Sequence, residues 1–261
     1  MTTIIVPTYN QEQFTIKCFE SILKNTCSKE YSVLWADDNS SKKSYDAVKP
    51  VFEKFFNRKH FRNYNNQGFI KTVNTAIKLS KLFENEKDSI ILLNNDTEAT
   101  KGWLPKMIKG LKNNSVIGTV SSCQTQWQGY QNLFGLIGIE CSDLIERNVE
   151  GKLNKEFRNV YHQVSGVSFF CTAFRTKIFD SIGFVDDRFG KGYGEDTDFC
   201  RRVVNSGETI AISLSTLIYH HHHGTFNGVY NSKEMRSVKQ KHLGIFKKKH
   251  NITGGFCEHK K

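Results

Sequence analysis

Only three prolines occur in 261 residues, so no Pro-rich linker divides the chain, and its composition is not that of a disordered segment. No apolar run approaches the roughly 18 residues that cross a bilayer. The opening run Thr3-Ile4-Ile5-Val6 carries neither a basic flank nor a cleavage site, so a cytoplasmic chain is expected. Seven cysteines are scattered without a C-x-x-C pair, which argues against a zinc or redox framework and for reduced, mostly buried thiols. Neither G-x-G-x-x-G nor a P-loop is found, and Pro7 to Gln13 lacks glycine. The backbone loops that cradle phosphate in dinucleotide-binding folds, and the one a nucleotidyltransferase on a similar sheet would need, are therefore missing.

What is present in excess is positive charge, formally +11. It favours an anionic partner: a nucleotide, an acidic membrane face or nucleic acid. In the first half, short apolar runs alternate with helical stripes, the pattern of a parallel sheet with crossover helices. Ile4 to Val6, Val33 to Ala36, Ser89 to Leu93 and Val116 to Val120 read as strands. Phe14, Cys18, Phe19, Ile22 and Leu23 mark one helix; Tyr45, Val48, Phe52 and Phe55 a second. Ile70, Val73 and Ile77 mark a third after Gly68, and Leu104 to Leu111 another. From Ser121 to about Gln163 periodicity is weak, and loops with short antiparallel strands are expected. A helix from about Glu195 to Asn205, with Gly207 in the C′ position, precedes an alternating strand at Ile210, Ile212 and Leu214.

Ligands of open α/β sheets sit beyond the carboxyl ends of the strands, so the polar residues after each apolar run come first. Asp37 and Asp38 are adjacent carboxylates that repel unless donors or a cation relieve them, and a base or ribose would provide donors. Asp38-Asn39-Ser40 is equally good turn and N-cap chemistry. Asp96, behind Asn94 and Asn95, offers hard oxygen to Mg²⁺ or Mn²⁺, or else caps a following helix. Glu195 and Asp196 open a helix after the glycine-bearing stretch Gly190 to Gly194. There they either suit the helix dipole or present a general base to an acceptor hydroxyl. Tyr219 ends another apolar run before four histidines, and strand alternation places His220 and His222 on one face.

In order and spacing, these stations resemble the large inverting glycosyltransferase family two, from about Thr3 to Thr225, in its rhamnosyl- and galactosyltransferase-like branch. Ile5 to Asn10 is similar to the family's opening strand and turn, and Ala36-Asp37-Asp38-Asn39-Ser40 to its V-D-D-x-S element. Asn66-Gln67-Gly68-Phe69 with Asn74 is similar to an N-x-G-F-x-x-x-x-N element with a nucleotide-contacting face. Leu93-Asn94-Asn95-Asp96 resembles the D-x-D region, and Gly194 to Arg202 the E-D-x-D-L-x-x-R block.

The resemblance implies an α/β GT-A fold: a Rossmann-like, mainly parallel central sheet flanked by helices, with a small antiparallel acceptor-side sheet. It implies one catalytic domain over 1–226, split into a nucleotide-sugar half (1–120) and an acceptor half (121–226), then a basic helical tail (227–261). By the same resemblance Asp196 is the catalytic base with Glu195 beside it, while Asp198 and Arg201 are structural. Pro7, Tyr9, Asn10, Asp38, Asn66, Gly68, Lys71, Asn94, Asn95 and Asp96 form the donor-binding set, with Asp38 reading uracil or thymine. Asp96, His220 and in reserve His222 hold Mn²⁺ or Mg²⁺. The implied reaction moves a sugar from a UDP- or dTDP-linked donor to a hydroxyl of a glycan or lipid-linked acceptor, in surface polysaccharide or glycoconjugate synthesis.

Two rivals differ in class. A nucleic-acid-binding module would use the +11 charge, but strand-end carboxylates repel a phosphate backbone. The nucleotidyltransferase lacks its glycine loop. In the tail, Met235, Val238, His242 and Ile245 form a stripe flanked by lysines. The stripe suits either an anionic membrane surface or packing against the domain.

Overall fold

Thr2–Thr8 (β1) and Tyr31–Asp37 (β2) are buried along their whole length, as continuous apolar runs must be when helices cover both faces of a parallel sheet. They pair in parallel, Ile4 opposite Val33. The computed structural model describes residues 2–83, 89–122, 131–132, 149–221 and 232–253. His222, Thr225 and most of the irregular stretch from 121 to 163 lie outside them.

Between β1 and β2 runs α1 (Glu12–Asn25), whose Cys18, Phe19 and Ile22 face inward. After β2 come α2 (Lys42–Phe52), the edge strand β3 (Arg58–Arg62) and α3 (Phe69–Phe83). β4 (Ser89–Leu93), β5 (Thr97–Ala99), α4 (Trp103–Gly110) and β6 (Val116–Ser121) follow. The second half contributes α5 (Val149–Glu156), β7 (Tyr161–Val164), β8 (Cys171–Arg175) and α6 (Ile178–Ile182). It ends with α7 (Glu195–Asn205), β9 (Ile210–His220) and α8 (Ser232–His250).

All strands join one nine-stranded mixed sheet, ordered β3-β2-β1-β4-β8-β6-β9-β5, with β7 also on β9. The antiparallel part is thus continuous with the parallel one: β8 lies antiparallel between β4 and β6. Two aromatic-rich cores cover its faces. One gathers Phe19, Trp35, Phe52 and Phe55 under α1 and α2; the other gathers Ile70, Val73, Phe174, Phe199 and Phe246 under α3 and α7. Among the described cysteines, Cys18, Cys171 and Cys200 are buried and Cys27 is exposed.

β9 decides the geometry of the site. Its register against β6 breaks after Thr119–Ser213 and resumes at Val120–Leu217, so Leu214 to Thr216 bulge out of the ladder. A bulge bends a strand and re-aims the side chains on its far side. There, Ile218 to His220 pair with β5, His220 opposite Thr97.

In the tail, Phe246 is part of the main core, Ile245 packs against it, and His242 is buried, so the His242–Phe246 part of the stripe packs on the domain. No described helix is long and apolar enough to cross a membrane.

Candidate active site

The β2 end carries two buried carboxylates with different partners. Asp37 is fully buried and accepts from the Thr8 hydroxyl at 3.2 Å, while Arg62 Nε lies 3.1 Å away. It ties β1, β2 and β3 together. Asp38 accepts from Asn63 Nδ2 (2.8 Å) and Gln67 N (2.7 Å) at Oδ1, and from Gly68 N (2.8 Å) at Oδ2. Three donors fill three of the roughly four lone-pair directions of a carboxylate, leaving one on Oδ2. Asp38 therefore shapes the 63–68 loop and retains one acceptor direction.

Gly68 turns the loop into α3 with φ +82°, and a Cβ there would sit 3.3 Å from Lys191 Cγ. The donor-side loop thus packs on the glycine-rich segment that precedes α7. Asn66 and Lys71 are exposed beside it and Tyr9 is half-buried. Pro7 is buried in β1 beyond the β4 ladder, which ends at Ile5–Leu92, so no partner misses its absent N–H.

At the β4 end, Asn94 N donates to the Phe170 carbonyl at 2.8 Å. Its Oδ1 is buried without a partner among the described residues. Asp96 Oδ1 lies 3.3 Å from His220 Nε2, both side chains being less than a tenth exposed. His221 N donates to the Asp96 carbonyl at 2.9 Å, and the His221 ring turns the other way to Glu98 Oε1, 2.7 Å distant. Phe170 stacks on the His220 ring at 4.9 Å and 16°, which fixes the imidazole plane. Adjacent ligands of a six-coordinate divalent ion lie about 3 Å apart when each bond is about 2.1 Å, so the pair fits two neighbouring ligands of one ion. No group of three or more His, Cys, Asp or Glu side chains suited to a metal is found among the described residues.

At the start of α7, Asp196 Oδ1 accepts from Thr197 N at 2.7 Å, and the Ser168 side chain lies against this carboxylate, where it favours the charged form. Glu195 is buried with Oε2 unpartnered among the described residues. Burial, then the charge of Asp196, pushes the Glu195 carboxyl upward, and burial raises Asp196 too. The Thr197 donors and the helix N-terminus favour the ionised form at Asp196. Of the two carboxyls, Asp196 has the donors that favour an ionised form, while Glu195 Oε2 has none among the described residues. That division suits a general base beside a silent neighbour.

Residues 3–183 match the family model described as glycosyl transferase family 2. The chain belongs to that family. Its GT-A fold recurs in solved structures of low identity. PcManGT, a mannosyltransferase from Pyrobaculum calidifontis solved with GDP-Man and Mn²⁺, has TM-score 0.64 and 14% identity over 97% of this chain and 65% of its own. GalNAc-T7, solved with UDP, GalNAc and Mn²⁺, has TM-score 0.63 and 13% identity over 84% and 43%. TarS 1-349 of S. aureus with UDP-GlcNAc has TM-score 0.62 and 16% identity over 92% and 66%. At these identities the likeness establishes the fold alone, and this chain spans only 65% and 43% of the first two. No curated protein matches.

Several residues of this family-2 chain also make contacts within the fold. Asn10 builds a turn: its N–H donates to Ser40 Oγ and its Oδ1 accepts from Ser41 N, both at 2.8 Å. Asn95 turns toward α1, donating to Thr15 Oγ1 at 2.9 Å. Asn74 clamps the Val185 backbone (Nδ2 to O 2.7 Å, N to Oδ1 3.1 Å). Buried Asp198 is met by Arg202 at 2.9 Å. One helical turn separates residues 198 and 202, which brings their side chains together. Ser168 and Phe170 carry no signal in the sequence because they lie in a loop without periodicity.

Proposed function

We propose that the chain is a metal-dependent, inverting glycosyltransferase that transfers a sugar from a UDP- or dTDP-linked donor to a hydroxyl of a glycan or lipid-linked acceptor. The observation that supports it most is the short segment Ser168 to Phe170. Ser168 lies against Asp196, while Phe170 stacks on His220 and accepts from Asn94. Two residues of extended chain span at most about 7 Å, so the supports of a base and of a diphosphate-binding end are neighbours.

In this reading the nucleoside lies over the β1 and β2 ends. The remaining lone pair of Asp38 accepts a base N–H, and Tyr9, Asn66 and Lys71 line the approach. Asp96 and His220 hold Mn²⁺ or Mg²⁺, which when bound offsets the charge of the departing diphosphate. Asn94 directs its buried Oδ1 at the sugar or ribose. Asp196 removes the proton of the acceptor hydroxyl as that oxygen attacks the anomeric carbon. The bond to the diphosphate breaks on the opposite side, inverting the configuration. A cytoplasmic site and a role in surface polysaccharide or glycoconjugate synthesis belong to the same proposal.

The test is a panel of nucleotide sugars assayed for Mn²⁺-dependent hydrolysis and, with simple glycan acceptors, for transfer with inversion. Turnover of a UDP- or dTDP-sugar is expected. Absence of both binding and turnover across the panel would remove the proposal.

A further inference from the structure

α8 lies beyond the residues matched by the family model, which end at 183, yet its C-terminal half is built onto the segment that presents Asp196. That segment has left-handed backbone at Gly190 (φ 60°), Gly192 (124°), Tyr193 (85°) and Gly194 (94°). Glycine tolerates many conformations, so nothing local dictates where the first turn of α7 is held. Tyr193 is not glycine, and such a backbone persists only where its surroundings hold it.

α8 supplies that hold on both sides of Asp196. On the near side, buried His242 places Nδ1 2.8 Å from the Tyr193 carbonyl oxygen, so the ring N–H donates there. The Lys239 ammonium lies 4.7 Å over the Tyr193 ring. On the far side, Lys249 Nζ donates to Asp198 at 2.8 Å and to Asp186 at 2.6 Å. His250 Nε2 meets Asp198 at 2.9 Å. Asp198 is fully buried and also receives Arg202 Nε at 2.9 Å. A buried carboxylate surrounded by charge-assisted donors has one favourable position, because any shift strands a charge in low dielectric. Phe246, in the core between these two grips, anchors the helix itself.

We infer that α8 is a strap that positions the catalytic base. His242 and Lys249 fix the Tyr193 turn and the first turn of α7, and through them the place where Asp196 meets the acceptor hydroxyl. Both are positioning residues, since neither touches a reacting group. The inference rests on Asp196 acting as the base. A misplacement of about 1 Å at a reacting group lowers the rate by up to about 10²-fold.

The full chain carrying His242→Ala, Lys249→Met or, as a packing control in the opposite core, Phe55→Leu would be compared with wild type in four measurements. These are thermal midpoint, nucleotide Kd and kcat for donor turnover, and amide hydrogen exchange over residues 190–198. The strap predicts faster exchange over 190–198 and a kcat reduced about 10- to 100-fold at unchanged nucleotide Kd for the first two variants. Lys249→Arg should recover most of the loss. Phe55→Leu should lower the midpoint while kcat of the folded protein stays near wild type. Unchanged exchange over 190–198, or kcat losses in His242→Ala that merely follow the midpoint as in Phe55→Leu, would overturn it. Should His242→Ala not fold, His242→Phe keeps the ring volume and removes only the donor. The exchange arm does not depend on turnover: an inactive wild type defeats the proposed function, while unaltered exchange in the variants defeats the strap.

Discussion

Asp96 and His220 meet at 3.3 Å because β5 and β9 run antiparallel with Thr97 opposite His220. The residue before Thr97 and the last residue of β9 therefore share one end of the ladder, and the His221 N to Asp96 O bond of 2.9 Å continues it. In the proposed metal site, removing either partner would leave one of the two described ligands. Asp96→Ala and His220→Ala should each weaken Mn²⁺ binding by roughly 10- to 100-fold or more, measured by calorimetry in the presence of the nucleotide. Unchanged Mn²⁺ affinity in both would move the metal elsewhere.

Asp196→Asn keeps the shape of the carboxylate and removes its basicity. Transfer should fall about 10²- to 10⁴-fold, while nucleotide Kd stays within about twofold. Steady-state kinetics alongside a nucleotide titration checks both, and near-normal turnover would dismiss Asp196 as the base.

Glu195 ought to limit stability at neutral pH. Burial, then Asp196, raises its carboxyl above the ordinary range. The unfolded chain therefore ionises first, and stability is lost as pH rises from the ordinary carboxylate range toward the raised value. Glu195→Gln removes that penalty. Its thermal midpoint should gain on wild type between about pH 5 and pH 8 and converge with it below; parallel pH profiles would contradict a raised Glu195 carboxyl.

Asp186 has the opposite sign. The Arg188 guanidinium and then Lys249 hold its carboxyl well below the usual range. Its contribution is present above the unfolded pKa, near 4, and is lost as pH falls below it. Asp186→Asn should lower stability at pH 7 by about 1–2 kcal/mol and flatten the acid limb of a urea-denaturation series.

Gly68→Ala meets two obstacles, a φ of +82° and Lys191 Cγ at 3.3 Å. It should lose about 1 kcal/mol or more and loosen the loop that three N–H groups hold on Asp38. Urea denaturation and nucleotide titration together would show it, and an unchanged midpoint would count against the loop-to-loop packing.

Where burial was two-sided, the fold was legible in the residues. β1, β2 and β4 are apolar runs because both faces are covered, and α1, α3 and α7 follow their stripes. Asp38, Asp96 and Glu195-Asp196 stood out because a polar residue directly after such a run marks a strand or helix end. β3 was hidden: an edge strand carrying Arg58, Lys59 and Arg62, with exposed and half-buried residues alternating, has no apolar run to announce it. β8 was missed between the loop-rich stretch, which ends near Gln163, and α6, although all but the last of its residues are buried.

Local pattern thus contained the parallel half of the sheet, the family's ordered motifs and the residue types of the site. It could not contain the pairings that give those residues their work. The bulge in β9 aims His220 at Asp96, Asn74 and Asn95 turn to backbone and helix, and Lys249 and His250 close on Asp198 from the far end of the chain. Periodicity reports which face of an element is buried. Which side chains meet across elements depends on register and packing, and those arise when the sheet is assembled.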